Sequence, residues 1–144
     1  MKKLYNIFIV RAPMQLINAL EAKSHFKTEN NILVVHAEQG TQNIEQVKAL
    51  VNDDEWDEVL EYYPPKLKTL EKIFSQVSFV KKVSKYECDC IFSAEYGTLN
   101  VLIMANTKHK KRCLIDDGLT TVKLHKILSP EFSEDFTLQR KLKL

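Results

Sequence analysis

Short apolar runs, rich in β-branched and aromatic residues, recur along this chain. Between them lie stretches whose apolar residues return every three or four positions. That alternation leaves few architectures open. Strands joined through helices into one sheet run parallel, with the helices laid over its faces.

Residues 4–10 are apolar almost throughout, which suits a central strand covered on both sides. Pro13 fits the first position of a helix reaching about Phe26, with Leu16, Ile17, Leu20 and Phe26 as its apolar stripe. Residues 32–36 form the second strand. Glu38-Gln39-Gly40 is its outgoing loop, and Thr41 caps a helix carrying Ile44, Val47, Leu50 and Val51. Asp53, Asp54 and Glu55 make a surface acidic run. Residues 59–63 are a third strand stopped by Pro64-Pro65. Helical spacing resumes over residues 66–74, while residues 78–85 are ambiguous.

Residues 90–94 form the fourth strand, left through Glu95-Tyr96-Gly97. A helix through Leu99, Leu102, Ile103 and Met104 follows. Lys108, His109, Lys110, Lys111 and Arg112 read as a solvated basic loop before a fifth strand, Cys113-Leu114-Ile115. Residues 120–128 carry a helical pattern stopped by Pro130, and residues 137–144 form an amphipathic tail. The expectation is one α/β domain over residues 1–144, a mostly parallel sheet with helices on both faces.

Several chemistries lack their signatures. The chain holds no Gly-x-Gly-x-x-Gly, no phosphate-loop Gly-x-x-x-x-Gly-Lys and no Gly-x-Ser-x-Gly. A phosphoryl-accepting receiver wants an acidic pair after its first strand, where this chain has Arg11-Ala12-Pro13. His25, His36, His109 and His125 have no metal-ligand spacing and are expected in structural or solvated roles. A net charge of +2 argues against a nucleic-acid partner. Cys88, Cys90 and Cys113 read as reduced, mostly buried thiols. Cys88 and Cys90, two apart in a strand, are expected on one face. Residues 4–10 are too short to span a membrane, and no signal-peptidase pattern follows them.

Candidate chemistry gathers at the strand ends, because ligands of open α/β sheets bind outside the carboxyl ends of the strands. Gly40, Gly97 and Gly118 all fall just after strands. The fifth strand runs into Asp116-Asp117-Gly118. Adjacent side chains in extended chain diverge, so one carboxylate faces the crevice and the other serves the loop. A carboxylate there can act as general base on a hydroxyl. Arg11, Gly40, Glu95 and Asp116 are expected at one edge of the sheet, with Glu95 as second-choice acid or as a cap for the fourth helix.

The turn Val10-Arg11-Ala12-Pro13-Met14-Gln15-Leu16, taken with Leu114-Ile115-Asp116-Asp117-Gly118, resembles bacterial lipooligosaccharide sialyltransferases of glycosyltransferase family 52. Capsular polysialyltransferases are similar in plan. The resemblance implies a Rossmann-like domain, the N-terminal, acceptor-side half of a GT-B enzyme. It implies inverting transfer of sialic acid from a CMP donor to a saccharide hydroxyl during surface polysaccharide or lipooligosaccharide synthesis. Asp116 would be the general base and Asp117 its support. Arg11, Gln15, Gly40, Glu95 and Gly118 would contact substrate. No metal or cofactor is implied beyond CMP-sialic acid as donor substrate.

Two departures stand out. Ala12 replaces the family's hydroxyl residue, and the His-Pro dipeptide that grips the nucleotide is missing. The C-terminal nucleotide-sugar domain is therefore expected to be absent from this chain. Self-association would follow through the surface left uncovered. The expected location is cytoplasmic, or peripheral to the inner membrane. The alternative is a non-catalytic Rossmann-like binding or regulatory module.

Overall fold

The computed structural model describes residues 3–37, 42–64 and 69–115. Five strands alternate with four helices. They are β1 (Tyr5–Val10), α1 (Pro13–His25), β2 (Asn31–His36), α2 (Gln42–Leu50), β3 (Glu58–Tyr62), α3 (Thr69–Val83), β4 (Cys88–Ser93), α4 (Thr98–Asn106) and β5 (His109–Leu114). Every pairing is parallel and the sheet order is β3-β2-β1-β4-β5. This is an α/β, Rossmann-like arrangement. From β1 the chain builds outward through β2 and β3, then crosses back to place β4 on the other side of β1.

The sheet is covered on both faces, and its central strand shows why an almost unbroken apolar run was needed. Ile7, Phe8, Ile9 and Val10 are each 0 % exposed. Ile7 and Ile9 join Ile32, Val34 and Leu60 under α3 and α4, which contribute Phe79, Val83, Leu99 and Ile103. Phe8 and Val10 point the other way, into a cluster with Leu16, Ala19 and Val47 from α1 and α2. There Phe8 stacks on Phe92 at 4.4 Å and meets Trp56 edge-on at 5.3 Å.

Three expectations need correction, and one ambiguous stretch resolves. The buried stripe of α1 is Gln15, Leu16, Ala19 and Ala22, while Ile17 and Phe26 are largely exposed. Small alanines let the helix lie close to the sheet, and that turns Ile17 outward. The ambiguous stretch resolves as helix: α3 includes Ser78–Val83, and there Phe79, Val80 and Val83 enter the core. The apolar residues of its first half, Leu70, Ile73, Phe74 and Val77, are exposed instead.

The basic run is not a loop. Strand β5 begins at His109, and its backbone pairs with β4 from Cys88 onward. Main-chain hydrogen bonding specifies this strand, while its cations stay in water and Lys110 reaches Asp89 at 3.0 Å. Cys88 and Cys90 lie on opposite faces, one in each core cluster. The register of β4 on β1 slips between Tyr5↔Cys88 and Asn6↔Cys90, so the extra residue Asp89 inverts the alternation.

Expectations for Gly40 and Thr41, for residues 65–68 and for everything from Asp116 onward fall outside the described residues.

Candidate functional site

The strand order reverses between β1 and β4, and a crevice opens at their carboxyl ends. Ala12 is the extended N-cap of α1 and Pro13 its first residue. Gln15 turns back, and its Oε1 accepts the Arg11 backbone N–H at 2.9 Å. This fixes the β1–α1 turn and projects the Arg11 side chain over the crevice. There the guanidinium Nη1 donates to Glu95 Oε1 at 3.0 Å.

Glu95 comes from the β4–α4 loop, which a buried polar chain holds in place. Ser93 Oγ donates to the Glu95 carbonyl at 2.7 Å. Asn100 Nδ2 donates to Ser93 Oγ at 2.8 Å and to the same carbonyl at 3.3 Å. Asn100 Oδ1 must then be an acceptor, and its partner is His36 Nε2 at 2.7 Å. The proton of His36 therefore sits on Nε2, leaving Nδ1 with its lone pair. Burial pulls the His36 pKa down to about 4. The Asn100 hydrogen bond opposes this, and the Arg11 charge adds to it. The imidazole is neutral at pH 7.

A cavity of about 180 Å³ lies among these groups. Arg11, His36, Tyr62, Lys72, Glu95 and Gly97 are part of its lining. Tyr62 stacks on Phe79 at 4.8 Å. Its hydroxyl is buried and has no hydrogen-bond partner among the described residues. Gly97 is the N-cap of α4 and provides no side-chain cap. A Cβ there would come within 3.0 Å of Glu95 Oε1, so glycine lets the carboxylate rest against the helix end.

Of the residues expected to contact substrate, Arg11 and Glu95 meet. Gln15 is buried and builds the turn. Glu95 is not the N-cap of α4; that position is Gly97. Gly40, Asp116, Asp117 and Gly118 lie outside the described residues. Ile115, the last described residue, donates its N–H to the Ser93 carbonyl at 3.1 Å, so β5 finishes at this same edge.

His36, Tyr62, Ser93, Asn100 and Lys72 were not anticipated here. The first three lie at the ends of β2, β3 and β4, and that position was the signal available for them.

No cluster of three or more His, Cys, Asp or Glu side chains among the described residues could hold a metal ion. Burial raises the thiols, Cys88 to about 12 and Cys90 to about 11, with Cys113 raised as well. No helix among the described residues is long and apolar enough to cross a membrane.

Fold and crevice together define a Rossmann-like α/β protein with a polar crevice at its strand ends. No protein-family model and no curated protein matches the chain.

Proposed function

We propose that this chain is the acceptor-side domain of a sialyltransferase-like glycosyltransferase. Its strand-end crevice would receive the saccharide, and a nucleotide-binding α/β domain outside this sequence would hold the CMP-sugar. The observation that carries the reading is the convergence at one edge. Arg11 and Glu95 meet across the β1–β4 gap, and β5 delivers the chain to that edge immediately before Asp116.

In this reading the Asp116 carboxylate accepts the proton of a saccharide hydroxyl. The oxygen forms its bond to the anomeric carbon of sialic acid from the face opposite CMP, and CMP leaves with the bonding pair. Arg11 and Glu95 position the acceptor through hydrogen bonds to its hydroxyls.

The test uses the full reading frame, with CMP-sialic acid and a saccharide acceptor. Transfer is expected. Asp116→Asn should lower kcat by about 10²–10⁴-fold while donor binding persists. Asp117→Asn should cost stability and only part of the rate. Absence of transfer, or a fully active Asp116→Asn, overturns the reading. The alternative, a binding module without catalysis, draws on one observation: Glu95 and His36 are both held by protein groups.

A further inference from the structure

Helix α4 is nine residues long, and the N–H groups of its first turn have no acceptor within the helix. Its N-cap has no side chain, and no acidic residue lies in its first turn. Such an end carries partial positive charge. The end of α1 differs, because Pro13 has no N–H and Gln15 already fills the turn.

The cavity at the α4 end adds independent donors. Arg11 and Lys72 both line it, and Lys72 has no ion-pair partner among the described residues. Tyr62 lines it from the end of β3, and its hydroxyl is buried and unpartnered among the described residues. One carboxylate is already present. Glu95 lies against Gly97 and Arg11, showing that the position tolerates a negative group. That single planar group leaves Lys72 and Tyr62 unmet.

We infer that this crevice binds the phosphate group of a small phosphate monoester, with Arg11, Lys72, the Tyr62 hydroxyl and the α4 N-terminus as donors. A tetrahedral dianion presents acceptors in the several directions from which these donors arrive. The volume of about 180 Å³ is below the roughly 300–1,000 Å³ that encloses a whole ligand, so one functional group enters and the rest stays at the mouth. Glu95 competes with the phosphate for Arg11 and repels it. The inference does not rest on the transfer reading, and its test contains neither donor nor acceptor sugar.

The experiment is calorimetric titration of the protein with inorganic phosphate and with ribose 5-phosphate, against chloride at equal ionic strength. Saturable binding of both is expected, the ester at least as tight. Lys72→Gln should weaken both by about tenfold. Glu95→Gln should tighten both. Tyr62→Phe should weaken both severalfold without lowering the melting temperature, since it removes only an unpartnered hydroxyl. No saturable binding, or binding indifferent to Lys72→Gln and Glu95→Gln, overturns the site. Binding of inorganic phosphate with exclusion of the ester overturns the monoester assignment.

Discussion

Arg11 and Glu95 are 84 positions apart in the chain, yet their side chains meet at 3.0 Å across the gap between β1 and β4. Each follows a strand immediately or nearly so, and the two strands are neighbours only because the chain crosses over β1 after β3. The pair thus marks the place where strand order reverses, which is where sheets of this kind take ligands.

The contact should matter little to stability. About half of the Arg11 side chain is exposed, at 48 %. Exposed pairs are typically worth below about 1 kcal/mol. Urea unfolding of Glu95→Gln at neutral pH should therefore lie within about 1 kcal/mol of wild type. A loss of several kcal/mol would mean that the loop conformation depends on this carboxylate.

His36 should make stability depend on pH. Its folded-state pKa, about 4, lies below the ordinary 6.5, so the unfolded chain binds the extra proton first. The stabilising contribution is complete above about pH 6.5 and is lost as pH falls toward 4. Between pH 7.5 and 5 the loss from this one group should be about 2 kcal/mol. His36→Gln can keep a donor toward Asn100 without titrating, so its unfolding free energy should fall less over the same interval. Equal slopes for the two proteins would contradict the neutral, buried imidazole.

Gln15→Ala removes the acceptor of the Arg11 N–H. A partly buried donor left unmatched costs about 1–3 kcal/mol, and thermal unfolding should register a loss in that range. If Gln15 also contacts substrate, ligand affinity should fall further than the altered turn accounts for. Comparison with Ala12→Gly, which loosens the same turn without touching Gln15, separates the two effects.

The thiols should be inert in the folded protein. Cys88 and Cys90 have pKa values pushed up to about 12 and about 11, so little thiolate exists at pH 8. Reaction with an aromatic disulfide reagent should be slow in buffer and fast in urea, with the half-buried Cys113 modified first. Rapid native modification of Cys88 would show that its strand opens.

The architecture was readable from residues whose local preference agrees with their final surroundings. The apolar runs of β1, β2 and β4 are strands because both of their faces are covered. The end of strand β5 was legible at Cys113 and Leu114, but its first half was hidden because its pairing comes from the backbone of β4, and Lys110 to Arg112 carry no apolar mark of it. The face of α1 was misjudged because close approach to a sheet favours Ala19 and Ala22 over the larger Ile17. At the crevice, Arg11 and Glu95 could be found from their place after strands. The tautomer of His36 could not, since it is set by Asn100, 64 positions away. Nor could the unmatched hydroxyl of Tyr62, which depends on what fails to surround it.

Strand β1 lies between β2 and β4, and the two neighbours do not emerge together during synthesis. Cys88 is made 78 positions after Val10. At about 5–20 residues per second, that interval lasts several seconds. Within it, β1 can pair with β2 along one edge once Asn31–His36 is made, and pack Phe8 toward Trp56 later still, while its other edge waits with open N–H and C=O groups. A ribosome that stalls before β4 therefore presents an apolar strand as a template for any other extended chain. The order of strands in space fixes a period of vulnerability in time.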